Sequence, residues 1–188
     1  GSADLICLAA KTDPNQGSKG VSLLMVETDG LEGFRRGTPL KKVGMKGNDT
    51  AELFFENVKI PQTNLLGPEE GKGFYQLMKQ LPWERLYIGI AGLGAADCAL
   101  DETIKYVKER KAFGKRVFDF QNTKFKLAEL KTKVEVTRSF INDCIQKLIS
   151  GELDAATASM AKYWGSQIQG EVLDECVHLH GGYGFMAE

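Results

Sequence analysis

The sequence of 188 residues lacks several features that would assign it at once to a functional class. No apolar run reaches the ~18–20 residues that a membrane-spanning helix needs, and the first residues do not form a secretory signal pattern. With 24 basic and 25 acidic side chains, the formal net charge is −1, so long-range attraction to nucleic acids or anionic membranes is absent. These absences predict a soluble protein that binds no nucleic acid and has no membrane span.

Cysteine and histidine are also scarce. The four cysteines are far apart and contain no C-x-x-C pair: Cys7, Cys98, Cys144 and Cys176. We expect free, buried thiols in a reducing compartment. The set Cys176, His178 and His180 resembles a group of metal ligands, but only Cys176 and His180 share a helix face, at positions i and i+4. The sequence therefore predicts no metal site.

The first third of the chain has the pattern of strands and turns. Short apolar runs at 4–11 and 21–28 are separated by TDPNQGSKG, which is rich in turn-forming residues. A third strand-like run, at 50–60, ends before Pro61. These spacings predict an antiparallel sheet with hairpin connections.

Helical periodicity dominates from Gly67 onward. Long amphipathic stretches cover 83–111, 119–150 and 153–180, with Pro82 suited to the start of the first. The first half of that helix is apolar nearly all round, so we expect it to lie inside a bundle. The sequence thus predicts an α+β fold, with a β-domain over 1–66 and a domain of long antiparallel helices over 67–188.

One acidic residue stands at the predicted start of the first long helix. In LPWERLYIGIAGLGAADCAL, Glu84 and Arg85 precede an almost uncharged segment that ends at Asp97. If Pro82 begins the helix, the helix dipole favours the carboxylate form of Glu84, while the apolar segment beyond disfavours it. Such opposed effects can poise a carboxylate for proton abstraction. The alternative is an ordinary acidic residue in a first helical turn.

Two further segments allow both a binding role and a structural one. The stretch ERKAFGKRVFDFQ, at 109–121, joins two predicted helices and is densely basic around Phe113 and Gly114. It is either a solvated loop or a phosphate clamp with an aromatic face. The pair Gly181-Gly182 is a helix C-cap, and its backbone N–H groups can also face an anion.

The glycines at 89, 92 and 94 form a G-x-x-G-x-G pattern inside a predicted helix. A dinucleotide-binding motif of this kind needs a preceding strand, which is absent here. Close packing between helices explains these glycines better than a dinucleotide site does. Room for a long ligand beside Gly89 and Gly92 is an explanation of the same weight as packing.

Four segments, in this order, resemble the acyl-CoA dehydrogenase family, and most closely its long-chain and isovaleryl-like branches. The segments are GMKGNDTAELFFENVKIP, LLGPEEGKGFYQLMKQLPWERL, YVKERKAFGKRVFDFQ and VHLHGGYGF. The resemblance implies the C-terminal part of an antiparallel β-domain followed by part of a four-helix-bundle domain. The N-terminal helical domain and the C-terminal end of the family's fold are expected to lie outside this chain, which alone should be inactive.

The same resemblance implies FAD-dependent α,β-dehydrogenation of an acyl-CoA thioester in fatty acid β-oxidation, with a long acyl chain. Glu84 is implied as the base that takes the α-proton while a hydride passes to FAD; the alternative is a glutamate in a loop further downstream, which supplies the base in most other branches of the family. Arg85, Trp83 and Gly89 are implied to contact the acyl-CoA substrate; an ion pair with Glu84 is the other role for Arg85. Two alternatives stay open: an oxidase reoxidised by oxygen, and a non-catalytic relative that serves in assembly.

The resemblance also implies contacts to FAD. Three residues would reach the FAD of a neighbouring subunit: Arg110, Phe113 and Gln121. Three others would lie near the adenosine diphosphate end of the cofactor: His178, Gly181 and Gly182. His178 replaces the family's glutamine, and neutral histidine can likewise donate and accept a hydrogen bond. Expected partners are an electron-transferring flavoprotein and further copies in a homodimer or homotetramer, in the mitochondrial matrix of a eukaryote or the cytoplasm of a bacterium.

Overall fold

A computed structural model describes residues 1–187. The chain divides into two compact units, Gly1–Lys79 and Gln80–Glu188. The first unit carries antiparallel strand pairs and the second carries long helices, which confirms the predicted α+β class. The domain boundary after residue 66 stays a prediction.

A β-hairpin forms the centre of the first unit. Strands β1 (Leu5–Lys11) and β2 (Val21–Glu27) pair antiparallel, with Cys7 opposite Met25. The connection between them, Pro14–Gly20, consists of 3-10 turns interrupted by a kink at Gln16 and Gly17, and its start is capped by the side chain of the preceding aspartate. Both strands agree with the sequence pattern within one residue at their ends.

The predicted strand over 50–60 is shorter than expected. Only β4 (Leu53–Phe55) is a strand, and it pairs antiparallel with β3 (Phe34–Arg36). Asn57 lies in the left-handed region at φ 55°, which bends the chain away from the extended conformation. This turn explains why the apolar run is not one long strand.

Helix α1 (Gly73–Glu109) is one continuous helix of 37 residues, and this corrects the prediction that the first long helix starts at Pro82. Pro82 lies inside α1, where it removes one backbone hydrogen bond at a cost of about 3 kcal/mol in an exposed helix. The helical pattern on both sides of the proline outweighs that cost. Glu84 therefore lies about three turns beyond the helix start.

The other long helices follow the predicted bounds closely. Helix α2 (Gln121–Ser150) ends at Gly151, which adopts φ 76°. Helix α3 (Ala155–His180) begins at Asp154, whose Oδ1 accepts 2.8 Å hydrogen bonds from the N–H groups of Ala156 and Thr157. These caps satisfy backbone groups that the helix itself leaves unpaired.

A small hairpin connects α1 to α2. Strands β5 (Lys111–Ala112) and β6 (Lys115–Arg116) pair around a two-residue turn formed by Phe113 and Gly114. Both turn residues have positive φ, at 54° and 82°, as a tight hairpin with right-handed twist requires. A phenylalanine in this backbone region is unusual, because left-handed φ strains residues other than glycine.

Apolar side chains from all three helices form one core in the second unit. Its buried members include Leu86, Leu93 and Leu100 of α1, together with Leu130 of α2 and Ile168 of α3. Within residues 1–187, no helix is both long enough and apolar enough to cross a bilayer.

All four cysteines are free thiols, as expected. Cys144 and Cys176 are buried in the core, and burial raises the pKa of each thiol. Cys7 and Cys98 are exposed, so the expectation of burial was wrong for these two. Cys98 lies on the outer side of α1, whose core-facing stripe passes through the neighbouring Ala96 and Leu100.

Candidate functional site

Glu84 is one of the residues that line a cavity of about 400 Å³. Its wall is formed mainly by one segment of α1 and completed by one lysine of α3: Leu81, Trp83, Glu84, Arg85, Tyr87, Ile88 and Lys162. The rings of Trp83 and Tyr87, one helical turn apart, stack with centroids 5.9 Å apart and an interplanar angle of 10°. The structure thus brings Trp83, Glu84 and Arg85 together beside a flat aromatic surface.

Glu84 is exposed and forms no salt bridge with any residue between 1 and 187. Arg85 instead donates from Nη1 to Ser159 Oγ of α3 at 3.1 Å. The alternative ion pair between Arg85 and Glu84 is therefore not formed. The arginine is held against α3, and the carboxylate stays available to a ligand in the cavity.

The position of Glu84 corrects the argument from the helix dipole. The dipole acts within the first helical turn, whereas Glu84 lies well inside α1. The expectation that this part of α1 is buried all round is also wrong for the described chain. Leu86 and Leu93 are buried, but Tyr87 is 57% exposed and Ile88 is exposed beside it. One side of α1 faces the core and the other forms the cavity.

Gly89 lies on the core side of α1 and is not part of the cavity wall. A Cβ atom on Gly89 would lie 2.6 Å from the carbonyl oxygen of Ala161, and one on Gly165 would lie 2.7 Å from the Gly89 backbone. The backbones of α1 and α3 therefore approach each other closely here. This contact supports the packing explanation of the glycine pattern, and substrate contact by Gly89 stays a prediction.

A second, larger cavity of about 810 Å³ lies where the α1–α2 hairpin meets the end of α3. It brings together five of the six predicted cofactor residues, which come from two distant segments: Arg110, Phe113, His178, Gly181 and Gly182. Aromatic side chains form much of the remaining wall, among them Tyr106, Phe120 and Tyr183. We call this the aromatic cavity.

The aromatic cavity combines one guanidinium group with several ring faces. The guanidinium carbon of Arg110 lies 5.5 Å from the centroid of the Tyr183 ring. Phe113, 94% exposed at the tip of the hairpin, meets Phe120 edge to face at 6.4 Å. Such a site suits a flat aromatic group that carries a nearby anion, since aromatic rings stack and arginine binds phosphate oxygens.

Gln121, Gly181 and Gly182 are not equally accessible to a ligand in the aromatic cavity. Gln121 is the first residue of α2 and is not among the residues that line the aromatic cavity, although Phe120 and Asn122 on either side of it are. The N–H of Gly181 donates to the carbonyl of His178 as a helix cap, so it is not free for an anion. Gly182 has open space where a side chain would lie, and a ligand can approach its backbone there.

The sequence pattern missed several residues of both cavities. Tyr106 lies four residues before Arg110, which directly follows the end of α1 and donates its backbone N–H to the Tyr106 carbonyl at 2.8 Å, a spacing that could have indicated the place of Tyr106 in the aromatic cavity. Lys162 and Ser159 reach the Glu84 cavity and Arg85 from α3, and no local pattern indicated them. Contacts between elements far apart in sequence decide these positions.

A comparison with known proteins finds relatives that agree with one another. Residues 71–188 match the family described as "Acyl-CoA dehydrogenase, C-terminal domain". The chain is 50% identical, over 99% of its length, to the long-chain specific acyl-CoA dehydrogenase of Mus musculus mitochondria. It is 40% identical, over 95%, to the caffeyl-CoA reductase-Etf complex subunit CarC of Acetobacterium woodii. It covers 43% and 47% of those proteins, so it spans about half the length of the relatives it matches.

A solved structure agrees with the fold. The crystal structure of acyl-CoA dehydrogenase from Geobacillus kaustophilus superposes with a TM-score of 0.93 at 48% identity, covering 98% of this chain and 49% of the other. Fold, sequence and the match over residues 71–188 all point to the same family. The chain belongs to the acyl-CoA dehydrogenase family.

Proposed function

We propose that the protein containing this chain catalyses FAD-dependent α,β-dehydrogenation of a long-chain acyl-CoA thioester. The observation that carries the proposal is the aromatic cavity, in which Arg110 and Phe113 meet His178, Gly181 and Gly182 across a large sequence separation. The Glu84 cavity supplies a free carboxylate in the same unit of the fold.

The residues of the aromatic cavity fit the adenosine diphosphate part of FAD. Arg110 supplies a permanent positive charge for phosphate oxygens, and the open space at Gly182 allows close approach to the backbone. The aromatic wall suits the adenine ring. When bound, FAD supplies a hydride acceptor, and the protein supplies placement and the base.

Glu84 is proposed as the group that takes the α-proton of the thioester. Its carboxylate has no ion-pair partner within residues 1–187, and its neighbours Trp83 and Tyr87 provide an apolar surface for the substrate. Arg85, fixed by Ser159, lies beside it as a contact for the polar part of the thioester. A positioned base of this kind typically contributes ~10²–10⁴-fold to the rate.

Substrate class and partners are proposed from the relatives. The long-chain specificity rests on the 50% identity to the mouse enzyme, and an electron-transferring flavoprotein as acceptor rests on relatives such as the CarC subunit of an Etf complex. The contacts expected to cross between subunits make a homodimer or homotetramer the proposed assembly. The mitochondrial matrix is the proposed location in a eukaryote, as for the mouse relative, and the cytoplasm in a bacterium.

The test is anaerobic reduction of the flavin in the full-length protein. Mixing with a long-chain acyl-CoA should bleach the oxidised flavin and yield the 2-enoyl-CoA, with slower bleaching by short-chain and branched-chain substrates. Reoxidation should be fast with an electron-transferring flavoprotein and slow with oxygen; the reverse order would assign an oxidase. A flavin-loaded protein that no acyl-CoA reduces would overturn the proposal and favour an assembly role.

A further inference from the structure

The imidazole of His180 is held in place from two directions within the aromatic cavity. Its ring stacks on the ring of Tyr106, with centroids 4.3 Å apart and an interplanar angle of 20°. Its Nδ1 lies 2.8 Å from the backbone carbonyl oxygen of Cys176, one turn earlier in α3. In addition, the hydroxyl of Tyr106 donates to the backbone carbonyl of His180 at 3.3 Å. The ring therefore has a fixed orientation before any ligand binds.

The contact with Cys176 also fixes which ring nitrogen carries the proton. A carbonyl oxygen only accepts hydrogen bonds, so Nδ1 must be the donor. In the neutral imidazole the other nitrogen, Nε2, then has a free lone pair. Within residues 1–187 no protein group donates to Nε2. Since His180 lines the cavity, this lone pair is available to a ligand there.

The surroundings of His180 indicate what kind of ligand would use that acceptor. Tyr106, Phe113, Phe120 and Tyr183 supply ring faces, and Arg110 supplies the positive charge. A hydrogen-bond acceptor fixed among ring faces suits a heterocycle with an exocyclic amine, or a sugar hydroxyl attached to it. The adenosine part of a dinucleotide carries both kinds of donor.

We propose that His180 is a specificity-determining contact for the adenosine end of FAD, with Nε2 accepting a hydrogen bond from the adenine amine or from a ribose hydroxyl. The inference rests on the proposed function, because that function supplies the ligand. It adds a residue and an atom that discriminate FAD from flavins without adenosine. Tyr106, besides lining the cavity, acts as a positioning residue, because its ring stacks on the imidazole of His180.

The tautomer can be tested without cofactor or substrate. Nitrogen-15 NMR of the full-length apoprotein, at a pH where His180 is neutral, should show Nδ1 protonated and Nε2 bare. Addition of FAD should shift the Nε2 resonance, while FMN, which has no adenosine, should leave it unchanged. A protonated Nε2 in the neutral apoprotein would overturn the proposal.

The affinity test uses two variants with opposite chemistry. His180→Phe keeps a flat ring against Tyr106 but has no acceptor, and His180→Gln places an amide oxygen near the position of Nε2. The His180→Phe protein should bind FAD about fivefold more weakly, the usual effect of one neutral hydrogen bond, and His180→Gln should stay within about twofold of wild type. Equal affinities for wild type and His180→Phe would overturn the proposal.

Modified cofactors identify the donor. FAD with hypoxanthine in place of adenine lacks the amine, and 2′-deoxy or 3′-deoxy adenosine forms each lack one hydroxyl. For one of the three modified cofactors, the loss of binding free energy caused by the modification and the loss caused by His180→Phe should be less than additive. Additive losses for all three would mean that His180 serves only in packing. If wild-type protein binds no FAD, the proposed function fails; if wild type binds and His180→Phe binds equally, only this inference fails.

Discussion

Two carboxylates of helix α1, Glu84 and Asp97, stand at the two ends of its least charged stretch, and they have opposite surroundings in the structure. Asp97, whose side chain is 28% exposed, has Oδ1 at 2.8 Å from Arg138 Nη2 and 3.6 Å from Lys131 Nζ of α2. Arg138, and to a smaller extent Lys131, holds the pKa of Asp97 below its ordinary value. Glu84 has no salt bridge within residues 1–187 and lines a cavity.

The difference separates a structural acid from a candidate base. A carboxylate held by two cations is stabilised in its charged form and ties α1 to α2, so it is a poor proton acceptor. A carboxylate without such a partner keeps its lone pairs for a ligand. In the sequence, the two residues simply stand at the two ends of the same almost uncharged segment.

The sharpest test of this comparison is to neutralise each carboxylate in the full-length protein. Glu84→Gln keeps the size of the side chain but cannot accept the proton, so turnover of a long-chain acyl-CoA should fall ~10²–10⁴-fold. Asp97→Asn should leave turnover within about twofold of wild type, since it lies outside the cavity. Steady-state turnover rates, divided by the measured FAD content of each protein, test both predictions. Normal turnover of a flavin-loaded Glu84→Gln protein would remove Glu84 from the mechanism.

A second test uses two glycines of the same helix. Gly89→Ala places a Cβ 2.6 Å from the Ala161 carbonyl oxygen, and because backbone atoms cannot move aside, the free energy of unfolding should fall by about 1–3 kcal/mol. Gly94→Ala meets open space and should be neutral or stabilising by up to about 1 kcal/mol, because alanine favours helix. Denaturant unfolding of the two variants measures both effects. Equal stabilities would contradict the close approach of α1 and α3.

The smallest expected effect concerns the ion pair of Asp97. Asp97→Asn should lower the free energy of unfolding by about 1 kcal/mol at neutral pH. Because the folded-state pKa of Asp97 is lowered, the ion pair stabilises the fold above the ordinary aspartate value near 3.9 and loses this contribution as pH falls through the lowered value. The difference between variant and wild type should thus be constant above about pH 5 and shrink below about pH 4.

That pH series has its own control. Asp101 lies one turn further along α1 and is exposed. Asp101→Asn should change the free energy of unfolding little at any pH, since no salt bridge to Asp101 is formed within residues 1–187. A pH dependence as large for Asp101→Asn as for Asp97→Asn would show that general charge, not the contact with Arg138, causes the effect.

Local chemistry made much of the fold predictable. The ends of α2 and α3 follow from Gly151, Asp154 and Gly181, because a left-handed glycine or a capping carboxylate marks a helix end by its own backbone and side-chain contacts. The β1–β2 hairpin follows from two apolar runs around a turn sequence. The start of α1 was mispredicted, since a proline signals a helix start only when the residues before it do not already continue the helix.

The candidate sites were less predictable from the chain alone. The segment around Glu84 and the hairpin around Phe113 were each recognisable by themselves. Their completion by Lys162, Ser159 and His180 was not, because these residues come from another helix. A local sequence pattern covers only neighbouring residues, so it cannot show a contact between residues that lie far apart in the chain.

Apart from the start of α1 and the length of β4, the sequence by itself determined where the predicted helices and strands lie and which segments carry unusual chemistry, since turns, caps and apolar periodicity act over a few residues. Only the tertiary structure decided that Asp97 is bound by Arg138 while Glu84 stays free, and that Arg110 and His178 share one cavity. The physical reason is that ion pairing and burial depend on distances in space. Those distances follow from how α1, α2 and α3 pack, as at the close approach of Gly89 to Gly165.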